Sequence, residues 1–183
     1  AEGFGAVLAE NASWTFDNIG NILTKTARQT GSNLLTTYTY DPAHRVSSRV
    51  RTGQPTVTYT YDLNGNMTED STGRTLAWNA LDQLTNITGG GVTSTSFTYD
   101  PLGRRRTWQR GATTRTYWYD GLDVLSNTAS SFLNGAGLDE PLQFTNAGTT
   151  RLYLQDALGS TTRLSRTAGA LQTRYDYSSY GRY

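Results

Sequence analysis

The sequence contains no cysteine, one methionine (Met67), one lysine (Lys25) and one histidine (His44) in 183 residues. Without cysteine there is no disulfide scaffold and no thiol nucleophile, and a structural zinc site would have no thiolates. With a single imidazole, any Ser-His-Asp triad must pass through His44. Sixteen basic residues against fifteen acidic ones leave a formal charge of +1. That is too little field to hold a nucleic-acid backbone, so no nucleic-acid partner is expected. No stretch approaches 18 apolar residues, so no membrane span is expected. Residues 1–8 lack a basic leader and are too short an apolar run for a signal peptide. No motif calls for a cofactor, so none is expected.

What is present points to β-structure. Hydrophobic residues make up 36% and charged ones 17%, while 12 Tyr, 5 Phe and 4 Trp supply the bulk. Threonine is abundant and no window shows a 3.6-residue period, so helix content should be close to nil. A phrase recurs instead: aromatic, spacer, aromatic, aspartate, turn. It reads Trp14-Thr15-Phe16-Asp17, Tyr38-Thr39-Tyr40-Asp41, Tyr59-Thr60-Tyr61-Asp62, Phe97-Thr98-Tyr99-Asp100 and Tyr117-Trp118-Tyr119-Asp120. A weaker copy runs from Trp78 to Asp82. The aspartates at 17, 41, 62, 82, 100 and 120 are roughly 20 residues apart, the period of a tandem hairpin array in which each unit buries its face against its neighbours.

Each unit has a physical reading. Val57, Tyr59 and Tyr61 alternate with Thr56, Thr58 and Thr60, which puts aromatics on one face and threonines on the other. Turn chemistry follows in Asp41-Pro42-Ala43-His44, Asp62-Leu63-Asn64-Gly65 and Asp100-Pro101-Leu102-Gly103, with aspartate accepting backbone amides and glycine suiting the end of the turn. Second strands are expected over residues 45–51 and 104–110, and Gly-containing spacers, such as Gly89-Gly90-Gly91, return the chain to the next hairpin. Beyond about residue 125 the phrase changes. Residues 134–142 read as a loop, strands are expected at 143–145 and 150–154, and two further phrases follow: Asp156-Ala157-Leu158-Gly159-Ser160 and Tyr175-Asp176-Tyr177-Ser178-Ser179-Tyr180-Gly181.

These residues resemble the RHS/YD-repeat family along essentially the whole chain. The first two-thirds look like YD repeats, carried by Tyr61-Asp62 with Gly65-Asn66 and by Tyr99-Asp100 with Gly103-Arg104. The last third is similar to the RHS-associated core, carried by Gly135, Gly137, Asp139, Glu140, Pro141 and Leu142, then Asp156, Gly159 and Ser160, then Tyr175, Tyr177, Tyr180 and Gly181. The resemblance divides the chain into a YD-repeat array over 1–125 and a core-like segment over 126–183, continuous with the same sheet. It implies an all-β fold of tandem hairpins in a curved, spiralling antiparallel sheet. It further implies a non-enzymatic role as part of an enclosing shell around a toxin or effector, in a secreted or cell-surface bacterial protein. Tc toxin shells, polymorphic RHS toxins and teneurins are members. His44, where the family has the turn glycine, and Ser178-Ser179, where it usually has Asp-Pro, depart from the pattern.

The expected site residues are therefore architectural: Asp17, Asp41, Asp62, Gly65, Asp100, Gly103, Asp120, Asp139, Asp156, Gly159 and Gly181 in turns and motifs, with no catalytic or metal-binding residue. Turn caps are favoured over metal ligands for the aspartates, although Asp62 to Asn66 has the look of an oxygen-rich calcium loop without its bidentate glutamate. His44 reads as a turn residue rather than a base, and Arg104-Arg105-Arg106 as a strand whose charges alternate between faces. The ladder of Tyr38, Tyr40, Tyr59, Tyr61, Trp78, Tyr99, Tyr117 and Tyr119 reads as sheet-stabilising, with glycan stacking as the alternative. Open strand edges would pair with flanking repeats or with further copies of the chain, which leaves a shell segment, a filament subunit and a carbohydrate-binding module as three classes of function.

Overall fold

The alternation of aromatic and threonine residues makes strands because each face of the pleat then receives one kind of side chain. The computed structural model describes residues 12–29, 32–137, 140–175 and 177, and among them every regular element is a strand. The chain divides into two units at Val92/Thr93. The first holds β1 (Ala12–Phe16), β2 (Ile22–Gln29), β3 (Ser32–Tyr40), β4 (Val46–Arg51), β5 (Val57–Tyr61), β6 (Met67–Asp70), β7 (Arg74–Trp78) and β8 (Leu84–Gly89). The second holds β9 (Thr95–Tyr99), β10 (Arg105–Arg110), β11 (Thr113–Asp120), β12 (Asp123–Asn127), β13 (Ser130–Asn134), β14 (Pro141–Asn146), β15 (Thr149–Gln155), β16 (Thr161–Arg166) and β17 (Leu171–Arg174).

Within each unit every strand pairs antiparallel with the next one in sequence, a plain meander. The all-β hairpin fold expected from the repeats is what the chain adopts. The register slips just before the repeat turn, at Thr15/Phe16, Thr39/Tyr40, Thr60/Tyr61, Ala77/Trp78 and Leu154/Gln155. Each slip is a bulge, and a bulge increases the local right-handed twist of its hairpin.

Several boundaries differ from the sequence reading. Residues 134–142 are not all loop: Asn134 ends β13, and β14 begins at Pro141. Proline is admissible there because the first residue of a strand need not donate to the ladder. Gly89 likewise belongs to β8 rather than to a spacer.

The two faces differ as the alternation predicts. Val57, Tyr59 and Tyr61 are half-buried, while Thr58 and Thr60 are exposed. On the threonine face, hydroxyls pair across strands at Thr15–Thr24 (2.7 Å), Thr75–Thr88 (2.7 Å) and Thr98–Thr107 (2.6 Å). Among the described residues Leu164 is the only buried hydrophobic, at 6% exposure. The sheet thus stabilises itself through strand neighbours rather than through a covered core.

Candidate functional site

Six turns that begin with aspartate or asparagine share one construction, over residues 17–21, 41–45, 62–66, 79–83, 100–104 and 156–160. In each, the first residue's N–H donates to the carbonyl of the fifth, and the fourth residue's N–H returns to the carbonyl of the first. The first side chain closes the turn. Asp62 Oδ1 accepts from the N–H of Asn64 (3.0 Å) and of Asn66 (2.8 Å). Asp17, Asp41, Asp100 and Asp156 accept from the third and fifth residues in the same way. The short carboxylate suits this because its oxygens reach its own backbone two and four residues on.

The fourth residue lies in the left-handed region. Glycine serves there in four of the turns, including Gly65, Gly103 and Gly159, but His44 (φ 61°) and Asp82 (φ 57°) occupy the same conformation. Asp82 is therefore not a cap, and its place in the aspartate series is corrected. The cap of that turn is Asn79, whose Oδ1 accepts from Leu81 N (2.9 Å) and Gln83 N (3.0 Å). Aligning on the aromatic would have revealed it, since Asn79 follows Trp78 as Asp62 follows Tyr61. Asp82 Oδ1 instead accepts from the amides of Asn64 (2.9 Å) and Asn66 (2.7 Å), tying one turn to the next.

Asp120 ends β11 and is exposed, opposite Asp123 across a two-residue turn at Gly121-Leu122. Gly121 has φ 56°, which fits the primed turns that match hairpin twist. Asp139 and Gly181 lie outside the described residues.

Sequence reasoning missed the arginine that completes the turn. Arg45 Nε binds Asp41 Oδ2 at 2.7 Å, and its guanidinium sits 4.7 Å from the ring centre of Tyr61 in the next hairpin. Its Nη1 also donates to the carbonyl of Asp62 at 3.3 Å. Arg104 repeats this, with Asp100 at 2.7 Å, the Tyr119 ring at 4.8 Å and the carbonyl of Gly121. A third pair at the same spacing, Asp70 and Arg74 (2.7 Å), closes the β6–β7 turn, and Asp70 is only 4% exposed. The Asp-x-x-x-Arg spacing was the available signal.

In five of the phrases the second aromatic makes a return contact. Tyr40 Oη donates to the carbonyl of Ile22 (2.8 Å), Tyr61 Oη to Val46 (2.8 Å), Trp78 Nε1 to Met67 (2.9 Å), Tyr119 Oη to Arg105 (2.7 Å) and Tyr177 Oη to Thr161 (2.6 Å). Every acceptor is the first residue of the preceding hairpin's second strand. Each acceptor still faces its cross-strand partner, the bulge skipping the next residue (Leu23, Ser47, Thr68, Arg106 and Thr162), and the aromatic tip supplies a donor beside the bulge. A hydroxyl or indole thus locks five strands to the preceding hairpin, and Arg45 and Arg104 tie two of the turns to the hairpin that follows. The first aromatics face cross-strand partners: Tyr38 opposes Arg49, and Tyr59 opposes Asp70. Tyr99, a second aromatic, opposes Arg105. Tyr117 opposes Asn127, with the Arg105 guanidinium 5.4 Å from its ring centre.

Electrostatics follow from these contacts. Burial disfavours the charged form of Asp17, Asp62, Asp70 and Asp100, but the turn hydrogen bonds outweigh it and hold each carboxyl below the usual range. For Asp41 the Arg45 N–H is the largest influence, in the same direction. Burial pushes the Tyr40, Tyr61, Tyr119 and Tyr153 hydroxyls up. No cluster of three or more metal-ligating side chains occurs among the described residues.

Within each unit the turns also give the two ends of the strands different characters. Exposed aliphatics sit at the tips of the repeat turns: Ile19, Leu63 and Leu81 in the first unit, and Leu102, Leu122 and Leu158 in the second. At the opposite ends of the strands the described connections carry polar or small residues, such as Thr52-Gly53-Gln54, Ser71-Thr72-Gly73 and Ala147-Gly148.

Residues 5–92, just under half of the chain, match the Teneurin YD-shell family model. No curated protein matches the sequence significantly. Among solved structures, a TcdB2–TccC3 complex is 20% identical with a TM-score of 0.47, the alignment covering 90% of this chain and 10% of that one. The Photorhabdus luminescens Tc holotoxin pore is 13% identical with a TM-score of 0.38, covering 93% and 14%. The chain therefore spans about a tenth of the length of such structures. Residues 5–92 are thus similar to the Teneurin YD-shell, and the aspartate turn and aromatic lock found there recur in the second unit.

Proposed function

We propose that this chain is a non-enzymatic stretch of wall in a secreted or cell-surface RHS/YD-repeat protein, and that the wall encloses a toxin or effector. The carrying observation is the lock between hairpins: Tyr40, Tyr61, Trp78 and Tyr119 each reach back to the preceding hairpin. Backbone pairing between hairpins is uneven, six residue pairs between β2 and β3 and four between β10 and β11, but only two between β4 and β5 and one between β6 and β7. Side chains therefore join units that have almost no core of their own, which is what a strip built to be extended by neighbours requires. The exposed aliphatic tips at one end of the strands in each unit support the same reading, since solvated aliphatic side chains repeated in this way are better explained by an adjoining surface.

The natural partners under this reading are flanking repeats, and then the enclosed effector. On Tyr61 and Tyr119 a ring face that a glycan would use is already covered by Arg45 and Arg104. Denaturing mass spectrometry of the protein from its native source tests the proposal. A mass far above 20.1 kDa supports a wall segment. A mass near that value contradicts it and favours a self-assembling subunit.

A further inference from the structure

We infer that Asn64 is a site of spontaneous deamidation, and that its conversion to aspartate or isoaspartate unfastens the β7–β8 hairpin from the β5–β6 hairpin. Asn64 is exposed in the 62–66 turn and is followed by glycine. An asparagine amide is open to attack by the next residue's backbone nitrogen, and a following glycine has no Cβ to obstruct the approach. The Gly65 nitrogen bonds to Asn64 Cγ, the Cγ–Nδ2 bond breaks, and the amide leaves as ammonia with the glycine proton. Water then opens the cyclic imide at the side-chain carbonyl to give aspartate, or at the main-chain carbonyl to give isoaspartate. No other reactant enters.

The structure separates this site from the chain's other Asn-Gly step, Asn134-Gly135. The Gly65 N–H donates to the Asp62 carbonyl at 3.2 Å within a surface turn. The Gly135 N–H donates to the Glu140 carbonyl at 2.8 Å, and Asn134 is half-buried at the end of β13. The nitrogen must leave its acceptor before it attacks, and one net hydrogen bond corresponds to about five- to tenfold in rate.

The partner of Asn64 gives the reaction its consequence. Asn64 Nδ2 donates to Asp82 Oδ1 at 2.9 Å, beside Asn66 Nδ2 at 2.7 Å, and so fastens the 62–66 turn to the 79–83 turn. Between these hairpins the ladder supplies one residue pair, Glu69 opposite Thr75, so the junction depends on side chains: these two amides and the Trp78 indole on Met67. A carboxylate at position 64 has no proton to donate and faces Asp82 as a like charge. Isoaspartate also lengthens the turn by one backbone atom, which moves the Asn66 N–H from Asp62 Oδ1, its acceptor at 2.8 Å.

The test ages the full chain at mildly alkaline pH and follows it by peptide mass mapping, with isoaspartyl methyltransferase marking isoaspartate. Position 64 should convert to both products, at least about fivefold faster than position 134. Conversion short of that margin, or none at all, overturns the site. For the consequence, Asn64→Asp should lower the urea midpoint, and adding Asp82→Asn should recover most of the loss, since an amide at position 82 donates back to a carboxylate at 64. An Asn64→Asp variant as stable as wild type, or no recovery, overturns the unfastening. Should that variant fail to fold, hydrogen exchange of the aged wild type decides: it should quicken at residues 67–70 and 74–78, and an unchanged or uniform pattern overturns the inference.

Discussion

Tyr61 Oη donates a 2.8 Å hydrogen bond to the carbonyl of Val46, a residue of the preceding hairpin. The same hairpin reaches forward, because Arg45 stacks on the Tyr61 ring while holding Asp41. Tyr61 thus meets its predecessor through both its ring and its hydroxyl. The repeat sequence encodes contacts between units as much as turns within them.

Tyr61→Phe keeps the ring and its arginine but removes the donor, leaving the Val46 carbonyl to find another partner. Urea unfolding should show a loss of about 1 kcal/mol. Tyr61→Ala should cost more, since the cation–π contact goes too. A Tyr61→Phe variant as stable as wild type would show that the hydroxyl contributes nothing to the lock.

The cap can be separated from the charge. Asn79 already serves as a cap, so Asp62→Asn should lower the unfolding midpoint only slightly, while Asp62→Ala should lower it clearly. Thermal unfolding followed by circular dichroism decides the order. Equal losses from the two changes would mean that side-chain acceptance at this position is unimportant.

The left-handed turn position gives an ordered series. Gly103 has φ 81°, so Gly103→Val places a β-branched residue where it is a conformational outlier and should damage folding most. His44→Ala exchanges one strained residue for another and should change little. His44→Gly should stabilise by about 0.5–1 kcal/mol. Denaturant midpoints measure all three, and no gain from His44→Gly would contradict the strain.

Gly89 tests close approach rather than turn geometry. A Cβ there would overlap the carbonyl oxygen of Gly73, whereas Gly53, also at positive φ, has open space around it. Gly89→Ala should therefore cost well beyond the roughly 1 kcal/mol of left-handed strain expected for Gly53→Ala. Similar costs for the two would show that the β6–β7 turn moves aside freely.

Acid should unfold the sheet through its caps. Asp17, Asp41, Asp62, Asp70 and Asp100 are held below the usual aspartate range, and so below their values in the unfolded chain. Their contribution is fully present above the unfolded value of about 3.9 and is lost as pH falls through the folded values. Stability should be flat from pH 7 to about 5 and should drop below about pH 4. A decline centred near pH 6 would contradict this account.

What was legible in the sequence was what depends on neighbours along the chain. Asp62 beside Gly65 announces a turn, and Thr58 alternating with Tyr59 announces two faces. The aromatic lock was not legible, because Tyr61 and Val46 meet across strands and register is set by the bulge. Asp82 misled for a related reason: it stands three residues after the cap, in a conformation that aspartate tolerates as glycine does. Pro141 at the start of β14 could not be distinguished from a loop proline, since only pairing shows which amides are needed.

The central claim is that these hairpins are joined as a wall and continue into neighbouring repeats. An electron cryomicroscopy map of the whole protein that carries these residues tests it most directly. The account predicts β1 to β17 within an extended β-wall, with Tyr40, Tyr61 and Tyr119 buried between successive hairpins. A map showing these residues as a detached module, with those side chains in solvent, would contradict it.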